Sequence, residues 1–357
     1  MRSANWLNST PGQAWSEIAE WVRSRGLPDY RARQIHPYLW ERPMPSWHDA
    51  TDLPDAVRKE LERSAPLARM EVLRRQHSSD GTVKLLFRLP DAAAIESVWI
   101  PEGRRRTLCI SSQAGCAYGC VFCATGRMGF QRHLEPWEIA GQVRAVTLDP
   151  ELGTPTNVVF MGMGEPLHNW PAVDTALTIL NDPRGLNLGA RHITVSTIGI
   201  LPRLEDFGRR PEQFRLAVSL HAATSERRSA LMPIERKYPL DQLVVALDRF
   251  RRRITLEYVM IEDANDRPED ADALAAIATR LGAHVNLLPL HPGGAPGLTP
   301  TPARDIDVFA KRLETRGVAV TVRRSRGLDI SAACGQLRIE TGSAGGVVTQ
   351  HDGDVEE

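Results

Sequence analysis

From Thr107 onward the chain repeats one pattern, and that pattern leaves few folds open. Short apolar runs at 108–111, 157–161, 192–196, 215–219, 256–260, 284–288 and 318–323 alternate with stretches of helical period at 135–148, 171–181, 240–251, 268–281 and 302–316. A strand that waits for a helix before the next strand cannot return by a tight turn, so successive strands run parallel with the helices outside. The expected fold class is α/β, a partial (β/α)6 barrel.

In such barrels the chemistry gathers at the C-terminal ends of the strands, in the loops that follow. The conspicuous residues fall there. Gly162-Met163-Gly164-Glu165-Pro166 follows the 157–161 run; its glycines allow close backbone approach to a ligand, and Glu165 offers a carboxylate to an ammonium group. Ser196 closes the third run, Ser219-Leu220-His221 the fourth, and Leu290-His291-Pro292 lies just past the sixth. Taken singly, each is equally a turn or a satisfied polar group. Together they ring one mouth.

Three of the five cysteines stand within eight residues, Cys116, Cys120 and Cys123, spaced C-x3-C-x2-C. No fourth cysteine follows at a matching interval, and the nearest other protein ligand is His133. A structural zinc site wants four ligands, whereas an iron–sulfur cluster on three cysteines keeps one iron open to an outside ligand. A zinc staple and plain buried thiols are the competing readings. An odd number of cysteines with no secretory segment after Met1-Arg2-Ser3-Ala4-Asn5-Trp6 speaks for a cytoplasmic protein with reactive or metal-bound thiols. Cys334, in Ala332-Ala333-Cys334-Gly335, reads by itself as a small buried hydrophobe. In a barrel, however, Cys109 ends the first strand and Cys334 follows the last, so both reach the same mouth and offer sulfur chemistry there.

The C-x3-C-x2-C stretch, with Phe122 before its last cysteine, resembles the signature of the radical S-adenosylmethionine (SAM) superfamily, whose open iron binds the amino and carboxylate groups of SAM. The residues leading into it, Leu108-Cys109-Ile110-Ser111-Ser112-Gln113-Ala114-Gly115-Cys116, narrow the resemblance to the RlmN/Cfr family of adenine methyltransferases, from about Tyr30 to Glu340. The resemblance implies a radical SAM barrel with a small helical accessory domain, and a [4Fe-4S] cluster held by Cys116, Cys120 and Cys123. It puts SAM contacts at Gly164, Glu165, Ser196, Ser219, Leu220 and His221. Where the family usually has asparagine in a Pro-x-Asn-Pro turn, this chain reads Pro289-Leu290-His291-Pro292, so a further contact falls on His291, whose ring cannot donate and accept from one edge as an amide can.

The resemblance also implies a mechanism that uses two SAM molecules per turnover. One methylates Cys334; the other, on the cluster, yields a 5′-deoxyadenosyl radical that takes a hydrogen atom from that methyl. The resulting carbon radical adds to carbon 2 of adenine, which is electron-poor and has no pair for ordinary displacement. Glu96, in Ile95-Glu96-Ser97-Val98, is the implied proton acceptor, although a glutamate in a strand also suits an exposed face. Cys109 then attacks the sulfur of Cys334, leaving a transient disulfide for an outside reductant. The implied substrates are an adenine of 23S rRNA and the adenine 3′ of the anticodon in tRNA, with an electron donor such as flavodoxin. Methylation at carbon 8, and a non-catalytic zinc-stabilised RNA-binding module, are the alternatives.

Charge is balanced, with 44 basic and 44 acidic side chains, so RNA contact must come from local patches rather than a global field. The arginine runs at 104–106, 251–253 and 323–326 are the candidates, though such runs are also ordinary solvated faces. No apolar run approaches the roughly 18 residues of a membrane helix, and a monomer is expected. Thr10-Pro11, followed by Trp15, Ile18 and Val22 and stopped by Gly26, predicts a capped helix. Residues 1–65 are expected as a helical unit that packs as a cap or touches RNA, 66–100 as a hairpin extension around Asp80-Gly81, 101–340 as the barrel, and 341–357 as a disordered tail.

Overall fold

The computed structural model describes residues 4–291, 295–323 and 325–337. Thr10 caps the first helix, α1 (Pro11–Ser24): its hydroxyl accepts from the Gln13 amide, and the Gln13 side chain accepts from the Thr10 amide at 3.0 Å. With α2 (Tyr30–Ile35) and α3 (Asp55–Ser64) it encloses a core containing Trp6, Trp21, Trp40 and Trp47. These tryptophans therefore serve packing, while Tyr30 stays exposed.

Next comes an antiparallel meander, β1 (Glu71–His77), β2 (Val83–Arg88) and β3 (Ala94–Glu102). Gly81 supplies the positive φ, +84°, in the loop joining the first two strands. β4 (Arg105–Cys109) pairs antiparallel with β3. A separate two-stranded ribbon, β5 (Gln113–Gly115) and β6 (Phe130–His133), brackets the cysteine loop and the short α4 (Ala124–Arg127).

From there strand and helix alternate. α5 (Pro136–Thr147) leads to β7 (Asn157–Phe160), α6 (Trp170–Asn181) to β8 (Ile193–Thr197), and α7 (Leu201–Arg209) to β9 (Arg215–Ser219). Then α8 (Ser225–Leu231) and α9 (Leu240–Asp248) lead to β10 (Ile254–Met260), α10 (Pro268–Leu281) to β11 (His284–Pro289), and α11 (Ala303–Thr315) to β12 (Val320–Val322). Each crossover returns a strand parallel to the last, giving six strand–helix units and a short closing strand. The sheet is continuous in the order β1-β2-β3-β4-β7-β8-β9-β10-β11-β12, so the hairpin extension is built into the edge of the barrel sheet rather than set apart from it.

Side chains alternate across each strand. Leu108, Val158, Val218, Leu256, Tyr258 and Leu287 are fully buried on the helix side. Their neighbours Thr107, Val159, Ser219, Glu257, Val259 and Asn286 line an internal cavity. The N-terminal unit sits on the outside of the barrel, where Trp137, Ala140 and Ile179 of α5 and α6 enter its core. Arg144 of α5 reaches into that junction and donates to the carbonyls of Leu39, at 3.0 Å, and Met44. Burial lowers its guanidinium to about 10, which leaves it charged at neutral pH. No described helix is long and apolar enough to cross a membrane. The 341–357 stretch lies outside the described residues.

Candidate active site

A cavity of about 720 Å³ opens over the C-terminal ends of the parallel strands, and the cysteine loop forms one of its walls. The loop is shaped by Gly115, at φ +74°, where a Cβ would lie 1.9 Å from the Gly129 carbonyl oxygen. The Cys116 amide donates to that same oxygen at 2.9 Å. Cys116, Cys120 and Cys123 all line the cavity. Burial pushes the Cys116 thiol up to about 12 and the Cys120 thiol further, and the neighbouring thiols and Glu165 add to the rise.

Among the described residues no three His, Cys, Asp or Glu side chains converge as ligands of a single metal ion. His133 is turned away from the cavity wall: its Nδ1 accepts from the Gln113 amide at 3.0 Å, and so does the Nδ1 of His168 at 3.1 Å. Among the described residues the cysteine loop thus presents three sulfurs to the cavity, and the other cysteine lining it, Cys334, belongs to a separate loop. Such a set suits a multi-iron cluster with one iron left open.

The opposite wall carries the residues after the strands. Gly164 has φ +96°, and a Cβ there would meet the Gln113 Cβ at 2.5 Å. Glu165 is buried; its Oε1 accepts from the Thr197 hydroxyl at 2.6 Å and the Leu167 amide at 2.9 Å, its Oε2 from the Ile198 amide at 2.9 Å. Burial outweighs these donors and raises its carboxyl to about 7. An ammonium arriving here finds a fixed carboxylate whose hydrogen-bond partners among the described residues are all neutral donors.

Ser196 and Ser219 face each other at 3.5 Å between hydroxyls. His221, at φ +54°, accepts from the Val259 amide on Nδ1 at 3.0 Å, which puts its proton on Nε2 as a donor. Burial holds its pKa down at about 3, so the ring is neutral. The Phe122 ring, 4.6 Å away between centroids, ties this wall to the cysteine loop. Leu220 is fully buried and absent from the cavity wall, so any ligand contact there comes from its backbone. His291 reaches the wall with its Nε2 already bonded to the Ser325 hydroxyl.

Cys334 lines the cavity, and a recess of about 20 Å³ beside it is lined by both Cys334 and Cys109. All five cysteines are free thiols. Burial raises Cys109 to about 12, with Cys334 adding to the rise and Arg323 opposing it. The Cys334 loop is joined to the cysteine loop: the Ala124 amide donates to the Gly335 carbonyl at 2.7 Å, and the Thr125 hydroxyl to the Leu337 carbonyl at 2.7 Å. Glu96 is buried rather than on an exposed face; its carboxylate lies 3.2 Å from the Lys84 ammonium, which is 3.4 Å from the Ser331 carbonyl of the same loop. It does not line the cavity.

Of the arginine runs, Arg105, Arg323 and Arg326 line the cavity. The 251–253 run precedes β10, and Arg252 lies over Phe207 and Phe250, away from the cavity. Arg324 lies outside the described residues. Sequence reasoning passed over Gln113, which holds the Glu165 amide at 2.7 Å, and Glu257, whose only signal was a carboxylate in the apolar run 256–260.

The radical SAM superfamily model matches residues 110–275. A probable dual-specificity RNA methyltransferase RlmN of Gemmatimonas aurantiaca is 54% identical, over 94% of this chain and 93% of that protein. The dual-specificity RNA methyltransferase RlmN of Anaeromyxobacter dehalogenans is 44% identical over 94% and 92%. The crystal structure of a radical SAM methyltransferase from Sphaerobacter thermophilus superposes with a TM-score of 0.86 at 42% identity, covering 91% of this chain and 97% of that one. With identity far above chance over nearly the full length of both relatives, the chain belongs to the RlmN family of radical SAM enzymes, whose cofactors are a [4Fe-4S] cluster and SAM.

Proposed function

We propose that this chain methylates carbon 2 of adenine in 23S rRNA and tRNA, with the methyl carried on Cys334. The observation that supports this most directly is the recess shared by Cys334 and Cys109 beside the cavity that the cluster cysteines line. Cys116, Cys120 and Cys123 would hold the cluster, leaving one iron for SAM. When bound, cluster and SAM supply reductive cleavage of the sulfonium to a 5′-deoxyadenosyl radical, which removes hydrogen from a methyl group that no base can deprotonate.

The protein's own groups do the rest. Glu165 receives the SAM ammonium, with Gly164 giving backbone room, while Ser196, Ser219, His221, His291 and the Leu220 backbone border the nucleoside. Cys334 accepts the first methyl on sulfur and presents it as a thioether. Once the methylene carbon on Cys334 has bonded to adenine carbon 2, Glu96 takes the proton from that carbon as the adduct gives up its unpaired electron, which the cluster would accept. Cys109, as thiolate, attacks the Cys334 sulfur; the new S–S bond forms as the bond from Cys334 to the product carbon breaks, and an outside reductant returns both thiols. Arg105 and Arg326 at the mouth offer charge to RNA phosphates. A cytoplasmic monomer served by a donor such as flavodoxin fits this reading.

Anaerobic incubation of reconstituted protein with SAM, a reductant and unmodified rRNA or tRNA, followed by mass spectrometry of nucleosides, tests it. Methyl on adenosine carbon 2 is the expected product and shows which RNA is used; methyl on carbon 8, or none with SAM cleavage intact, would overturn the assignment of the reaction.

A further inference from the structure

Across three adjacent parallel strands the register puts Ser219, Glu257 and Asn286 in one row, and Thr321 of β12 continues it. All four line the cavity. The centre of the row is a buried carboxylate, only 4% exposed. Its Oε1 accepts from the Asn286 amide at 3.0 Å, and its Oε2 is buried with no hydrogen-bond partner among the described residues. A carboxylate oxygen taken from water and given nothing in return is a costly arrangement unless a ligand completes it. No step of the proposed reaction uses this residue.

The surroundings say what kind of ligand completes it. Ammonium recognition already has its carboxylate in Glu165, among backbone and hydroxyl donors. Glu257 is instead close to the Arg323 guanidinium, whose charge works against a second cation at this point and helps keep the carboxylate ionised although burial raises its pKa. Its neighbours in the row are two hydroxyls and an amide, neutral groups that pair with other neutral hydroxyls. His291, farther round the wall, has its Nε2 occupied by Ser325.

We infer that Glu257 is a specificity-determining residue of the site: its free carboxylate oxygen accepts a hydrogen bond from a ribose hydroxyl of SAM, so that the row Ser219-Glu257-Asn286 selects a ribonucleoside over its deoxy form. The inference rests on SAM occupying this cavity. It assigns the sugar end of the ligand to β9–β11 and the ammonium end to the Gly164-Glu165 turn.

The test measures binding rather than turnover. Cluster-reconstituted full-length protein is titrated calorimetrically with SAM and with its 2′-deoxy and 3′-deoxy analogues, for the native chain, Glu257→Ala and Glu257→Gln. The native protein should bind one deoxy analogue more weakly than SAM by about 10- to 100-fold, the span of one charge-assisted hydrogen bond. In Glu257→Ala that discrimination should fall to within about twofold, with Glu257→Gln between the two. Iron content and thermal midpoint check that each variant is folded, and Glu257→Gln, nearly identical in shape, keeps the test open if the alanine variant is not. Equal discrimination in native protein and variants, or none in the native protein, would overturn the role of Glu257. Failure of the native protein to bind SAM at all would instead remove the reading on which it rests.

Discussion

Replacing Lys84 by methionine tests how Glu96, the proposed proton acceptor, and the loop of Cys334, the proposed methyl carrier, are held in register. Lys84 on β2 and Glu96 on β3 are each about 5% exposed in their side chains and lie 3.2 Å apart, and the same ammonium is 3.4 Å from the Ser331 carbonyl. Methionine keeps the volume and removes the charge, so Glu96 loses its ammonium inside a desolvated strand pair. Breaking one side of a buried pair typically costs about 3–5 kcal/mol. For a chain of this size that is a fall in melting temperature of roughly 4–7 °C. Glu96→Gln in the same background removes the charge that faced Lys84, so Lys84→Met with Glu96→Gln should recover part of the loss, with a coupling energy of about 1–3 kcal/mol. Thermal unfolding of the four proteins followed by circular dichroism, beside RNA methylation, reads both effects: stability returns in the double variant while methylation does not. A Lys84→Met variant within about 1 kcal/mol of native stability, or strictly additive single effects, would refute the claim that this pair ties Glu96 to the Cys334 loop.

Alanine at Cys116, Cys120 or Cys123 should lower bound iron and abolish 5′-deoxyadenosine formation from SAM; full iron and retained cleavage would remove these residues as ligands. Cys109→Ala should leave Cys334 joined to RNA, seen as a slow-migrating protein–RNA band, and free product at the native rate would exclude a resolving role. A pH effect is expected at Asp80, whose carboxylate is held at about 2, below its ordinary 3.8, by hydrogen bonds that include the Gly327 and Thr82 amides and outweigh desolvation. A depressed carboxylate contributes stability that is whole above the ordinary value and lost as pH falls through the depressed one. Asp80→Asn should therefore speed amide exchange in 327–332 at neutral pH, with the difference from native protein closing between about pH 4 and pH 2; a difference that persists at the low end would refute it.

Much of the barrel could be read before any coordinates, because a parallel strand flanked by helices writes a short apolar run, and each of the seven runs is a strand. The cysteine loop was legible for a related reason: three thiols carried by one loop must be close in sequence. What escaped were groups whose meaning is set by partners far along the chain. Gln113 matters because it holds the amide of Glu165, fifty-two residues away. Glu257 looked like a blemish in an apolar strand until the register set it between Ser219 and Asn286. Leu220 and His221 are neighbours, yet one side chain is fully buried away from the cavity and the other lines it, with His221 at a positive φ that the sequence does not announce. Likewise the N-terminal tryptophans could not be divided between core and RNA contact by composition, since both uses favour aromatic rings.

The position of Cys334 follows from three attachments rather than from its own segment. Asp329 accepts from the Ser78 hydroxyl at 2.6 Å and the Ser79 amide at 3.1 Å, and Asp80 accepts from the Gly327 amide at 2.9 Å, so the turn between β1 and β2 clasps the start of the loop. Lys84 holds its middle, and the Ala124 and Thr125 bonds hold its end against the cysteine loop. The interactions are polar and the loop itself is short, with Ser331 at a positive φ of +52° that side chains rarely adopt. Ala332 and Leu337 anchor the loop in the apolar core, and the polar clasps set its course between those anchors. In the proposed reaction the Cys334 thiol meets SAM, then RNA, then Cys109, and so changes neighbours within one turnover. Hydrogen bonds worth about 1 kcal/mol each suit that task, being strong enough together to set a resting position and weak enough singly to release it. On the proposed reaction the hairpin extension thus serves the site, since it carries both Glu96 and the polar turn that holds the Cys334 loop.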